Sequence, residues 1–163
     1  MTETIEDAPP RSMPPQILVV GVDYSETGEK ALHHALHLAA NNPMARVHVV
    51  SVCLGSRPRV RLNTPEETRT VTVDEATAYL QQYVREQVAE FRTAGGELHD
   101  HQLVTHLRVG APAQELCEVG REHHADLMLL GTHGRRGITR LLVGSVAEAV
   151  ASEARCPVFV VKQ

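Results

Sequence analysis

The chain has no tryptophan, three tyrosines and two phenylalanines among 163 residues, so aromatic side chains make up 3% of it. A base-stacking platform for single-stranded nucleic acid needs several rings, and that class is excluded. The core must come from valine, leucine, isoleucine and alanine. Cysteine is scarce too. Cys53, Cys117 and Cys156 are odd in number, far apart and without a Cys-x-x-Cys pair. They read as reduced thiols of a cytoplasmic protein rather than a disulfide framework. No apolar run approaches the roughly 20 residues of a membrane-spanning helix. A net charge of −4 argues against a general nucleic-acid binder, whose footprint is a basic face.

What is present is ordinary for one globular domain: 42% apolar and 22% charged residues. The start, "MTETIEDAPPRSMPP", has four prolines and no apolar segment of the signal-peptide kind, so residues 1–15 are read as a flexible N-terminal tail. Residues 16–163 are read as a single domain.

From Gln16 onward the pattern alternates. "QILVVGV" (16–22) is a continuous apolar run, as in a strand buried on both faces. Ser25 is a candidate N-cap, and Ala31, Leu32, Ala35, Leu36 and Ala39 follow at helical spacing. "RVHVVSVC" (46–53) is a second strand. Residues 54–72 read as a long loop, ending in the capping-box pattern Thr72-x-x-Glu75. Leu80, Tyr83, Val84, Val88 and Phe91 then mark a helix that stops at Gly95-Gly96. "QLVTHLRVG" (102–110) is a third strand, 112–124 a helix, "DLMLLG" (126–131) a fourth strand, 145–154 a helix and "CPVFVVK" (156–162) a fifth strand. Strand and helix in alternation imply a mainly parallel sheet with helices on both faces. Ligands of such sheets bind beyond the carboxyl ends of the strands, where strand order reverses. The segments after the first and fourth strands are therefore the candidate site.

The segment after the fourth strand, "GTHGRRGITRLLVGS" (131–145), reverses the sign of the chain. It holds four glycines and four basic or imidazole side chains, with no carboxylate. Glycine lets the backbone approach a ligand and turn its N–H groups into an anion nest. Gly144-Ser145 precedes a helix whose positive end adds to the attraction. Phosphate is the implied guest. The sequence is neither a Walker A loop nor a dinucleotide fingerprint.

The spacing Gly131-x2-Gly134-x9-Gly144-Ser145 resembles the ATP-binding motif of the universal stress protein family, and the resemblance runs from Gln16 to Lys162. It implies an α/β fold, a three-layer doubly wound five-stranded parallel sheet of order 3-2-1-4-5, in a homodimer joined through the fifth strand. It implies ATP across the first and fourth strands, with magnesium or manganese on the phosphates. Val22, Asp23, Tyr24, Ser25 and Val52 would then lie at the adenosine end. Gly131, Thr132, His133, Gly134, Arg135, Arg136, Gly144, Ser145 and Val146 would lie at the phosphate end.

Plainer readings stand beside these. Asp23 also suits a structural role beside Ser25, and Ser145 heads a capping box with Glu148. Arg140 reads as solvated surface. His33, His34, His37, His99, His101, His123 and His124 read as surface histidines, because a zinc site needs three or four convergent ligands and no His-Glu-x-x-His occurs. No nucleophile elbow or activated cysteine is visible. The expected function is thus that of a dimeric, ATP-binding sensor or regulator in stress response that reads out to a protein partner, with little or no catalysis. A slow ATPase or nucleotidyl transferase, or a structural dimer without nucleotide, are the alternatives.

Overall fold

The computed structural model describes residues 16–55, 59–61, 68–132 and 144–162. Five parallel strands form one sheet: β1 (Ile17–Gly21), β2 (Arg46–Cys53), β5 (Leu103–Val109), β6 (Leu127–Gly131) and β7 (Val158–Val161). Their order is β5-β2-β1-β6-β7, which is 3-2-1-4-5 when these five are counted along the chain. Two further strands, β3 (Arg59–Arg61) and β4 (Thr68–Thr70), pair antiparallel within the stretch expected to be a loop. Three-residue strands are too short to show a period of two, so the sequence pattern could not reveal them.

The apolar run of β1 is explained by burial on both sides: Leu18, Val19 and Val20 are all fully buried. Leu18 and Val20 join Val47, Val49 and Leu129 in a core beneath α1 (Glu26–Ala40) and α2 (Val73–Thr93). Val19 faces the other way. It meets Val50, Met128 and Leu130 beneath α3 (Pro112–Glu122) and α4 (Ser145–Glu153). Ala31, Ala35 and Ala39 form much of the face that α1 lays on the sheet. Such small side chains allow close approach of helix to strands.

Local signals set most boundaries. Ser25 caps α1, its hydroxyl accepting from Gly28 N–H at 3.2 Å. Thr72 and Glu75 exchange both bonds of a capping box at the start of α2. Gly95, at φ +93°, follows the end of that helix in the left-handed region. One non-local tie fixes the edge strand. Buried Gln102, just before β5, donates to the carbonyls of Ala39 (3.0 Å) and Asn42 (3.1 Å) at the end of α1.

Strand order reverses between β1 and β6, since the chain builds outward from β1 on one side and from β6 on the other. The crevice at their carboxyl ends is where a ligand belongs in this architecture.

Candidate functional site

The turn after β1 is rigidly made. Val22 N–H donates to Val50 O at 2.9 Å, the last rung between β1 and β2. Tyr24 then takes φ +62°, a left-handed conformation uncommon for a large side chain and typical of functional turns. Asp23 Oδ1 accepts from the Ser25 N–H (3.1 Å) and hydroxyl (2.5 Å). Gly28 lies so near that a Cβ there would stand 2.7 Å from Asp23 Oδ1. Asp23 is therefore a structural acceptor within the turn that follows β1.

Beyond the last β1 rung, β2 continues. Backbone groups alternate in direction along a parallel strand, so Val52 points its N–H and C=O to the side Val50 uses for β1. Cys53 points the other way, accepting from Gly110 N–H at 3.0 Å. Val52 thus presents a donor and acceptor edge beside the turn.

Three tyrosines gather over this turn. The Tyr24 ring meets Tyr79 and Tyr83 edge-on, at centroid distances of 5.1 and 5.0 Å. The Tyr83 hydroxyl is buried and has no hydrogen-bond partner among the described residues. Burial, then the negative charge of Glu29 and weaker effects of Tyr24, Asp23 and Tyr79, push its phenol well above the ordinary range. Tyr79 and Tyr83 pack against Tyr24 in the turn after β1, a contact the sequence reading missed for Tyr79 while assigning Tyr83 to the core. The signal was their helical spacing with Tyr24 as a distant partner, which no local pattern connects.

On the other side of the crevice, Gly131 ends β6 against the first turn of α1. A Cβ on it would lie 2.6 Å from Thr27 Oγ1, 2.7 Å from the Thr27 carbonyl carbon and 2.8 Å from Gly28 N. Thr132 is buried, and its N–H donates to Val161 O at 2.8 Å. Its own carbonyl accepts from Gly144 N–H at 2.7 Å. The ends of the glycine-rich segment are therefore clasped together where α4 begins. His133, Gly134, Arg135 and Arg136, with Arg140, lie outside the described residues.

The N-cap of α4 is Gly144, and Ser145 is the first helical residue. This corrects the reading of Ser145 as the cap: Gly144 O accepts the first helical bond, from Glu148 N–H at 2.9 Å. Among the described residues no side chain caps this helix. The two helix starts differ accordingly. That of α1 is capped by the Ser25 side chain and carries Glu26 and Glu29, whereas that of α4 has a glycine at the cap, Ser145 as its first residue and one acidic residue, Glu148, in its first turn.

Of the histidines read as surface groups, His34, His37, His99, His101 and His124 are exposed, while His33 and His123 are half-buried. His33 bonds to Gln87 at 2.8 Å, His34 meets Phe159 and His37 meets Phe91, so the α1 histidines brace neighbouring elements. His123 is no isolated surface group: it stands in a cluster with His48 and His106.

Comparison with known proteins decides the family. A profile of the universal stress protein family matches residues 15–162. The chain belongs to the universal stress protein family. It is 32% identical over 149 residues to universal stress protein MJ0531 of Methanocaldococcus jannaschii, covering 90% of this chain and 81% of that one. A universal stress protein solved in complex with cAMP superposes with a TM-score of 0.61 at 25% identity, covering 90% of this chain and 96% of the other. The universal stress protein of Archaeoglobus fulgidus, solved with dAMP, gives 0.58 at 25% identity, covering 90% and 97%. No helix among the described residues is long and apolar enough to cross a membrane.

Proposed function

We propose that this universal stress protein binds an adenine nucleotide, ATP above all, in the crevice between the ends of β1 and β6. The observation that carries the reading is the Thr132–Gly144 clasp, which holds both ends of a glycine-rich, carboxylate-free segment at a helix start with no side-chain cap among the described residues. Asp23 and the Val52 backbone would take the ribose and base, with Val22, Tyr24 and Ser25 shaping the turn. Gly131, Thr132, Gly144, Ser145 and Val146, with His133, Gly134, Arg135 and Arg136, would take the phosphates. The cAMP and dAMP complexes of the two similar structures support an adenine guest.

Magnesium or manganese would sit on the phosphates, since residues 131–145 supply no carboxylate to hold a metal alone. The single domain, residues 16–163 after a tail of 15 residues, would act in the cytoplasm as a homodimer joined along β7. Nucleotide binding would favour one arrangement of the glycine segment, and a regulatory protein would read that difference. The sequence shows no evident general base for the γ-phosphate, and turnover would be slow or nil.

The test is calorimetric titration of nucleotide-free protein with ATP, AMP and cAMP, beside Asp23→Ala and Gly144→Val. Expected is ATP binding at least about tenfold tighter than in either variant, a loss of ~1.4 kcal/mol or more. Absence of binding to all three nucleotides overturns the reading in favour of a structural dimer. Rapid steady hydrolysis of ATP overturns the non-catalytic part.

A further inference from the structure

Three imidazoles from three different elements meet on the α3 face of the sheet, near its β5 edge. His48 is the third residue of β2, His106 lies mid-way along β5, and His123 is the C-cap of α3. Parallel pairing sets His48 opposite Val104 and Val50 opposite His106, which brings the two rings onto one face. His48 Nδ1 and His106 Nε2 lie 2.8 Å apart, with the rings stacked at 5.0 Å and 11°. The His123 ring closes the group, 4.1 Å from His48 and 5.1 Å from His106. One ring nitrogen from each falls within 4.8 Å of the other two. His48 is buried and the other two are half-buried.

Three imidazoles are a poor choice for filling a core. Each brings a ring nitrogen that must find a proton donor or acceptor. Within this trio a hydrogen bond satisfies one nitrogen of His48 and one of His106. Burial and the mutual repulsion of the rings hold His48 down to about 4 and lower His106 as well. Neutral imidazole is the form that binds metal.

We propose that His48, His106 and His123 form a binding site for one divalent transition-metal ion of the zinc class, held by three imidazole nitrogens with a fourth position open. Zinc bonds to imidazole are about 2.0–2.1 Å, which puts neighbouring ligand nitrogens of a tetrahedron roughly 3.3 Å apart. His48 Nδ1 and His106 Nε2 lie 2.8 Å apart and one nitrogen of each of the three rings lies within 4.8 Å of the others, so small side-chain adjustments bring all three to one ion. An all-nitrogen set favours zinc, copper, nickel or cobalt over magnesium or calcium, which take oxygen. Two arginines oppose the cation: Arg46 acts on His48, and Arg108 acts on His106. Arg108 is paired with Glu122, whose charge offsets it.

The ion would tie β2, the edge strand β5 and the end of α3 together. It would lie away from the nucleotide crevice, since His48 precedes Val52 by four strand residues, roughly 13 Å. The inference therefore stands whether or not nucleotide binds.

The experiment uses full-length untagged protein, stripped with EDTA and free of nucleotide, titrated with cobalt(II) and then zinc. Expected is one equivalent of cobalt with the intense visible bands of a four-coordinate ion, displaced by one equivalent of zinc. His123→Ala, at a half-exposed helix end, and His106→Ala lose the bands and weaken binding by roughly 100-fold or more, with unchanged far-ultraviolet circular dichroism. Altering only the groups that hydrogen-bond to metal-binding imidazoles costs about 10–100-fold, so loss of a ligand costs at least that. The His33→Ala/His37→Ala double variant keeps the site. Absence of stoichiometric binding, or bands that survive both His106→Ala and His123→Ala, overturns the proposal.

Discussion

The carbonyl of Thr132 and the backbone N–H of Gly144 are joined at 2.7 Å, so the glycine-rich segment leaves the sheet and returns to it at one point. Thr132 is also bonded through its N–H to Val161 of the neighbouring strand. The clasp therefore rests on β7 as well as β6. A nucleotide gripped by this segment would be coupled to the edge strand along which we propose that two copies meet.

Gly131→Val tests the closeness of β6 to α1. Its Cβ would sit within 2.8 Å of Thr27 and Gly28, atoms of a helix start that the Ser25 cap and Asp23 hold in place. The variant is expected to lose about 2–3 kcal/mol of stability, as overpacked sites do. Chemical denaturation should show a lower midpoint, and ATP titration a weakened fit. A midpoint equal to wild type would mean that α1 yields freely there.

Tyr83→Phe removes a buried hydroxyl that has no partner among the described residues. In nucleotide-free protein the variant should be as stable as wild type or more so, by about 1 kcal/mol. The same site gives an alkaline dependence. Burial raises the thiols of Cys117 and Cys156 above 9.0 and, with nearby Glu29, the Tyr83 phenol above 10.0. The unfolded chain gives up these protons first, so it binds fewer than the folded chain, and stability falls as pH rises past 9. Denaturation midpoints between pH 7 and 11 should fall, less steeply in Tyr83→Phe. A flat profile would contradict the burial argument.

Gln102→Leu keeps the volume and removes three hydrogen bonds. The carbonyls of Ala39 and Asn42 and the N–H of His99 all lose a partner at a residue 1% exposed. A loss of about 3 kcal/mol is expected, seen as a lower urea midpoint with an unchanged slope. A neutral substitution would show that water replaces the amide.

Phe159→Glu addresses the edge strand. Phe159 lies on β7, the last strand in the sheet order, and is 47% exposed while touching His34 edge-on. An apolar edge of this kind is protected by pairing. Light scattering should find a dimer for wild type and a monomer for the variant at the same concentration. A monomeric wild type would remove the β7 homodimer from the proposal.

The sequence by itself determined the elements and their order, because each depends on near neighbours. The apolar run of β1, the Ser25 cap and the Thr72–Glu75 box are local, and each stands where the pattern put it. Parallel pairing followed from the alternation of strand and helix, since only crossovers connect such strands. Helix α4 starts at Ser145, where the pattern put it, and only its cap lies one residue earlier, at Gly144 rather than Ser145. The ribbon of β3 and β4 was hidden by its shortness.

Tertiary structure alone decided what meets across the fold. Tyr24 reaches Tyr79 and Tyr83 because α2 returns over the β1 turn. Gly131 needs to be glycine because α1 starts against it. His48, His106 and His123 are far apart along the chain, and only the β2–β5 register and the end of α3 bring their rings together. Local propensity carries no information about such convergence, which is set by how the sheet pairs and where each helix ends.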